Sequence, residues 1–236
     1  MIIGHIGARK GSKGVPGKNF KDICGHPLIY WSLQQLIDND QIDKVVVSTD
    51  DKDIYEYCLE KGALDIGLRP KELSGDSVSK WDVWQHSFQL VENIVGIGKI
   101  TAFLDLDCTS PLRNPLDIDK AINLYFQKDP DIVISCCEAR KNPYFNLLEL
   151  DNNGYLNVSK KLSGNIVSRQ QAPIVLEHAA STYVIKPSYL KTATFLYDGN
   201  AIPLIIDQTT CIDIDTDLDF EIVEIMMKRK MHNEFR

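Results

Sequence analysis

IIGHIGARKGSKGVPGKN, running from Ile2 to Asn19, decides the fold. Its opening, Ile2–Gly7, is a short apolar run of the kind found in a strand buried between two layers. The remainder, Ala8–Asn19, is a loop that interleaves Gly11, Gly14 and Gly17 with Arg9, Lys10, Lys13 and Lys18. Glycine permits positive φ angles and lets phosphate oxygens approach main-chain N–H groups. Four cations so close together repel one another unless they share an anion. A loop of this kind directly after a first strand is a polyphosphate cradle, because open α/β sheets bind ligands at the carboxyl ends of their strands. It is not a Walker A loop: Asn19 follows Gly17-Lys18, and Ser12 stands where the first glycine belongs. The G-x-x-G-x-x-G spacing also fails the dinucleotide fingerprint. The plainer alternative is a basic surface loop.

Working outward, strand and helix alternate. Residues 26–39 place Leu28, Trp31, Leu33, Leu36 and Ile37 near helical spacing, and Lys44–Asp50 is a β-branched strand. Helices are expected over 51–61, 79–94 and 115–127, and strands over 100–106 and 131–139. This rhythm predicts a mostly parallel sheet with helices on both faces. It changes after Arg140. An Asn152-Asn153-Gly154 turn between alternating segments predicts a hairpin. We read 141–176 as an excursion that serves as a dimerisation and substrate arm, the alternative being a surface flap. A strand returns at 180–185. The last helix begins near Thr216, with Thr216 and Asp219 at capping-box spacing. Its expected apolar stripe is Leu218, Ile222, Ile225 and Met226, with Lys228, Arg229 and Lys230 at its C-terminal end. The whole, 1–236, reads as a single domain.

The net charge of -7 disfavours a nucleic-acid polymer as partner. It leaves room for a nucleotide, which needs only a local basic cluster. The 6 cysteines include no CxxC pair, so reduced thiols in a cytoplasmic protein are expected rather than a zinc site or disulfides. No apolar stretch is long enough for a membrane span. The five histidines show no ligand spacing and are read as structural.

Asp213 and Asp215 stand two apart in a strand-like stretch, which puts both carboxylates on one face. Two carboxylates held together need a proton or a cation between them. Magnesium takes one or two carboxylates plus substrate phosphates. An acidic cluster leading into the last helix is the plainer alternative.

At the loop the chain resembles the acylneuraminate cytidylyltransferase family, whose members open with A-R-x-x-S-K-G-x-x-x-K-N. Ala8, Arg9, Ser12, Lys13, Gly14, Lys18 and Asn19 match it. Four further blocks match in order: Arg69-Pro70-x-Glu72-Leu73-x-x-Asp76, Thr109–Arg113 (TSPLR), Arg169-Gln170-Gln171-x-Pro173 with Tyr183 beyond, and Ile212–Thr216 (IDIDT). Two departures, Asp107 where Gln is usual and Lys80 where Ser is usual, are similar to the bacterial branch that acts on legionaminic acid, as is Arg140–Asn146.

The resemblance implies a Rossmann-like nucleotidyltransferase fold of the nucleotide-diphospho-sugar transferase type. It implies transfer of CMP from CTP to a nonulosonic acid with Mg2+ or Mn2+, in a homodimer. It places Ala8, Arg9, Ser12, Lys18, Asn19, Arg69 and Ser79 on the nucleotide. Asp107, Arg169, Gln170, Tyr183 and Lys80 fall on the sugar, and Asp213 and Asp215 on the metal. Arg9, Lys18, Asp213 and Asp215 carry the catalysis. Asp107 has two other readings, as a further metal ligand or as a structural partner of Lys80. Since the arm crosses towards a neighbour in this picture, Arg169 is open to serving either subunit. The rivals are a CMP-Kdo synthetase, a transferase using UTP or GTP, and a nucleotide sensor without chemistry.

Overall fold

In the computed structural model the chain is described except for residues 165, 235 and 236, so one position of the arm and the last two of the expected domain lie outside the described residues. The expected alternation is present through residue 138. In order come β1 (Ile2–Gly7), β2 (Asp22–Ile23), β3 (His26–Pro27), α1 (Leu28–Ile37), β4 (Lys44–Ser48) and α2 (Lys52–Glu60). Then follow α3 (Lys80–Val95), β5 (Ala102–Leu106), α4 (Pro115–Lys128) and β6 (Ile132–Glu138). The remainder is β7 (Leu148–Leu150), β8 (Leu156–Val158), β9 (Leu176–Ile185), α5 (Pro187–Thr192), β10 (Ala201–Ile205) and α6 (Asp217–Glu234).

The main sheet has the order β10-β6-β9-β5-β1-β4. Its pairs are parallel except around β9, which runs antiparallel to both β5 and β6. The direction of β9 follows from the excursion: the chain leaves the carboxyl end of β6 and re-enters from that same edge. The residues between are therefore delivered to the edge where the loop after β1 lies.

Helices cover both faces. Ile29, Leu33, Ile54, Ile118 and Ile122 pack with Ile6 and Leu104 on one side. Trp84, Phe88, Val91 and Leu190 pack with Ile3, Phe103 and Ile185 on the other. Helix starts follow local chemistry. Ser79 and Asp82 form a full capping box on α3, and Asn114 caps α4 with Pro115 at its first position.

A third apolar cluster matters most for function. Val15 from the glycine-rich loop packs with Leu28, Ile214, Phe220, Val223 and Met227. Burying side chains of this size stabilises by about 1.5–3 kcal/mol each. This cluster fixes the loop near the start of the chain to the segment near its end. It also corrects the expected stripe of α6. Phe220, Val223 and Met227 face the core, Met226 of the expected stripe packs partly against them, and Leu218, Ile222 and Ile225 are exposed. The reason is the partner: α6 packs on the loop and α1, and the face that fits there lies one position off the expected one. The helix also runs on past Lys228–Lys230, so that triplet lies inside it and His232 is the basic residue of the last turn. The Thr216 cap is as expected, with Asp219 N donating to Thr216 Oγ1 at 3.2 Å and Thr216 N donating to Asp219 Oδ2 at 2.8 Å.

Candidate active site

The loop after β1 is built from the inside. Ala8 N donates to Ser48 O at 2.9 Å, tying the end of β1 to β4. Val15 is the buried anchor, and Lys18 and Asn19 are buried beside it. Asn19 Nδ2 donates to Arg9 O at 3.0 Å, and Cys108 Sγ donates to Asn19 Oδ1 at 3.1 Å. Asn19 thus holds the curvature of the loop. Lys18 reaches to the far end of the chain: its Nζ donates to Ile214 O and lies 3.6 Å from Asp215 Oδ1. Arg9 Nη1 and Lys13 Nζ share the Asp76 carboxylate at 2.7 and 2.6 Å. Those two cations hold the Asp76 carboxyl below the ordinary range. The anion that the loop composition demands is therefore supplied internally, by a carboxylate on the surface. Exposed pairs of this kind are weak, so a triphosphate can displace it.

Gly14 is required for a packing reason. A Cβ built there would lie 1.8 Å from the carbonyl oxygen of Asp215. Both groups are backbone, so relief requires separating the cradle from the acidic segment. Gly14→Ala is expected to cost about 1–3 kcal/mol of stability and to weaken nucleotide binding. Thermal unfolding and CTP titration check it, and an unchanged profile in both would show the contact to be unimportant.

A cleft of about 290 Å³ opens beside the loop, lined by residues that include His5, Gly7, Arg9, Arg69, Ser79, Lys80, Trp84 and Asp107. Arg69 is buried at its β4 end, with Nε donating to Ser48 Oγ at 3.0 Å and Nη2 to Ser48 O. Burial lowers its pKa, offset in part by Asp50 and Asp105. Ser79 lines the cleft, but its hydroxyl is engaged by Asp82 at 2.7 Å. Lys80 Nζ lies 2.9 Å from Asp105 Oδ2 and 2.5 Å from Asp107 Oδ1. Burial pulls its pKa down, but the two carboxylates outweigh that and raise it.

From the sequence alone His5 reads as structural and Asp105 is not a candidate. Both are fully buried, with His5 Nδ1 2.6 Å from Asp105 Oδ1, and His5 lines the cleft. A histidine and an aspartate at inward-facing positions of two predicted core strands were the signal that could have flagged them.

The TSPLR turn is scaffold. Arg113 is buried, its pKa lowered by burial to about 10. It donates to Ser181 Oγ at 2.9 Å, Ser32 Oγ at 3.0 Å, Gln35 Oε1 at 3.0 Å and Asp107 O at 2.6 Å. The main chain of Asp107 is thereby locked to β9 and α1. Thr109 O accepts from Ile214 N at 3.0 Å, which hooks the acidic segment onto the same turn.

That segment is irregular, not a strand, because it is pinned at Ile214 instead of pairing in the sheet. Its two carboxylates therefore sit at different depths, which corrects the expectation of one shared strand face. Asp213 is half-buried, and Asp215 has 77% of its side chain exposed. Burial raises the Asp213 pKa, Thr109 opposes this, and the charges of Asp107 and Asp215 add to it. Asp213 Oδ1 is buried without a hydrogen-bond partner. A lone carboxylate oxygen made acid-shy by two neighbouring anions is a hard oxygen donor, which fits Mg2+ or Mn2+. Among the described residues no group of three or more His, Cys, Asp or Glu is placed to hold a metal by itself. An ion here would complete its shell with water and phosphate oxygens.

Three expected sugar contacts do not line the cleft. Arg169 and Gln170 line a separate hollow with Glu138, Asn142 and Pro173, and Arg169 Nη2 donates to Ala139 O at 3.1 Å. Within one chain the structure does not bring them to the cleft. Tyr183 is buried below the cleft instead of lining it. Its hydroxyl is 3.0 Å from His178 Nε2, and its ring lies under Lys80 Nζ at 4.3 Å. The strand register makes this so, because Tyr183 pairs with Asp105, well inside the sheet. Ser12 is half-buried in the loop.

The cytidylyltransferase family profile matches residues 3–221. The chain belongs to the cytidylyltransferase family. Among relatives of this cytidylyltransferase, the post-translational flagellin modification protein B of Campylobacter coli is 34% identical over 229 residues, covering 97% of this chain and 96% of that protein. The CMP-N,N'-diacetyllegionaminic acid synthase of Campylobacter jejuni is 35% identical over the same shares. A solved CMP:2-keto-3-deoxy-manno-octonic acid synthetase in complex with CTP superposes with a TM-score of 0.69 over 97% of this chain and 99% of that one. Its 16% identity speaks for the nucleotidyltransferase fold. The Rossmann-like transferase architecture expected from the sequence is therefore present.

Proposed function

We propose that this cytidylyltransferase joins a nine-carbon 2-keto-3-deoxy sugar acid, of the sialic or legionaminic type, to CMP with release of pyrophosphate. The observation that carries the reading is the direct tie of the cationic loop to the acidic segment through Lys18, with Asp107 facing the cleft beside them. Resemblance to the legionaminic acid synthase, over nearly the full length of both chains, supports the nine-carbon acid over the eight-carbon one.

Asp213 and Asp215 are the residues to hold Mg2+ or Mn2+, which when bound neutralises phosphate charge and lowers the pKa of the attacking hydroxyl. Arg9 and Lys18 bind the triphosphate and stabilise the departing pyrophosphate, with Ser12 and the main chain from Ala8 adding contacts. Arg69 and Ser79 stand at the cytidine end, with Asn19 shaping the loop. The anomeric oxygen of the sugar attacks the α-phosphorus in line with the leaving group, and positioning supplies most of the rate. Pyrophosphate release with CTP and Mg2+ tests this over N-acetylneuraminic, legionaminic, pseudaminic and Kdo acids. Preference for a nine-carbon acid and for CTP over UTP is expected. Release with none of the four, or equal use of UTP, would sink the reading.

The protein is further proposed to act as a homodimer in the cytoplasm. The arm exposes Leu150, Tyr155, Leu156, Val167 and Ile174, apolar side chains that a partner subunit would cover. A partner's arm would then bring Arg169 and Gln170 towards a cleft they do not reach within one chain. Gel filtration at micromolar concentration should give a dimer, and a strict monomer would remove the arm's role. The 6 cysteines are free, and no described helix is long and apolar enough to cross a membrane.

A further inference from the structure

We propose that Lys80 and Asp107 together read a secondary amide, an acylamino group on the sugar acid, and that His5 and Asp105 beneath them hold the pair in register. This rests on the sugar-acid reading above.

Asp107 Oδ1 is taken by Lys80, while Oδ2 is buried without a partner. The Trp84 indole N–H, in the same cleft wall, is also buried without a partner. Buried polar groups are seldom left unpaired, so these two call for a polar ligand. Lys80 has three N–H donors, of which one goes to Asp107 Oδ1, while the Asp105 carboxylate lies 2.9 Å away as its ion-pair partner. The ammonium lies over the rings of Tyr183 at 4.3 Å and Trp84 at 5.1 Å, and it is still partly open to the cleft. The wall therefore offers one acceptor and at least one donor side by side. A carboxylate there would face Asp107, and a free amine would face Lys80. A secondary amide satisfies both, its C=O accepting from Lys80 and its N–H donating to Asp107 Oδ2.

Position assigns the pair to the sugar and not to the base. Along the carboxyl edge of the sheet, Arg69 sits at β4, the phosphate loop at β1, and Asp107 just past β5, on the side of β9 and Arg169. Asp107 thus lies beyond the phosphates from the cytidine end.

The supports are buried and specific. Asp105 forms an ion pair with Lys80 on one side, its Oδ2 2.9 Å from Nζ, and pairs with His5 Nδ1 at 2.6 Å on the other, and His5 Nε2 lies 3.1 Å from Ser87 Oγ. Burial keeps His5 below its ordinary pKa, which suits a neutral ring donating one N–H to Asp105. Asp105 and His5 are positioning residues: they fix where the Lys80 ammonium stands and so where Asp107 points.

The test measures kcat and KM for a di-N-acylated nonulosonic acid against analogues carrying hydroxyl in place of each acylamino group. CTP affinity, Mn2+ affinity and CTP-over-UTP selectivity are followed in parallel. The wild-type chain should prefer one acylamino group by about 10- to 100-fold, the range of one or two charge-assisted hydrogen bonds. Asp107→Asn, which keeps shape, should raise KM for the acylated acid towards that of the hydroxyl analogue and so erase the preference. Asp105→Asn should reduce the preference without loss of CTP binding, which a merely structural role would not do. An unchanged preference in Asp107→Asn overturns the proposal. So does a gain of UTP use, which would place the pair on the base, or a loss of Mn2+ affinity, which would make Asp107 a metal ligand. A wild-type chain that releases pyrophosphate with no acid at all refutes the parent reading instead.

Discussion

Lys18→Ala is expected to lower turnover by about 10²–10³-fold, the usual loss when one preorganised donor to a developing charge is removed. The structure adds a second effect. Lys18 is nearly buried and donates to the carbonyl of Ile214, and it lies 3.6 Å from Asp215 Oδ1. Its removal leaves that carbonyl unpaired and loosens the acidic segment from the loop, costing about 1–3 kcal/mol. The variant should therefore lose both activity and thermal stability. Lys18→Arg, which keeps the charge but not the reach, should recover little. Steady-state pyrophosphate release and thermal unfolding, measured together, check both parts. Near-normal turnover with a lowered melting temperature would make Lys18 a purely structural tie.

Asp213→Asn should produce the opposite pairing of effects, with activity lost by about 10³-fold or more and stability gained. Burial, Asp107 and Asp215 raise the pKa of this carboxyl in the folded chain. A raised carboxylate pKa means that the folded state holds its proton more tightly than the unfolded chain does. Stability from this group is then present at low pH and lost as pH rises through the folded value, so at neutral pH its ionisation works against folding. Asparagine removes that penalty. Without metal, the variant should melt higher than the parent at pH 7–8, and the gap should close as pH falls. Added Mg2+ or Mn2+ should raise the melting temperature of the parent and leave the variant unmoved. A parent insensitive to both ions would show that Asp213 is not the metal carboxylate, and a variant that melts lower without metal would show that its burial carries no net penalty.

These two residues show what the sequence made legible. Lys18 and Asp213 lie in dense local patterns, a glycine-spaced cationic loop and a spaced acidic pair, each of which carries a physical demand by itself. The parallel layers were legible for the same reason, since strand and helix periods alternate cleanly up to β6. Two strand features were not legible. β10 contains Pro203, which demotes a strand reading and is tolerated here at the sheet edge. β9 is antiparallel only because its excursion returns on the side it left, which no local period reveals. In the site, His5 and Asp105 went unassigned because each is a single polar residue in an apolar strand. Only the sheet register brings them together, 100 residues apart in sequence. Tyr183 runs the other way: resemblance assigns it to the pocket, and the register places it in the layer beneath Lys80.

The join between the glycine-rich loop and α6 bears on how the protein is made. Val15 packs against Ile214, Phe220, Val223 and Met227, and Lys18 bonds a carbonyl 196 positions downstream. A chain emerging from the ribosome can complete its first strands and helices early, since those contacts are near in sequence. The nucleotide cradle stays without its clasp until the closing helix has left the exit tunnel. A truncated or stalled product therefore carries Arg9 and Lys18 of the loop without Asp213 and Asp215, the carboxylates they work with.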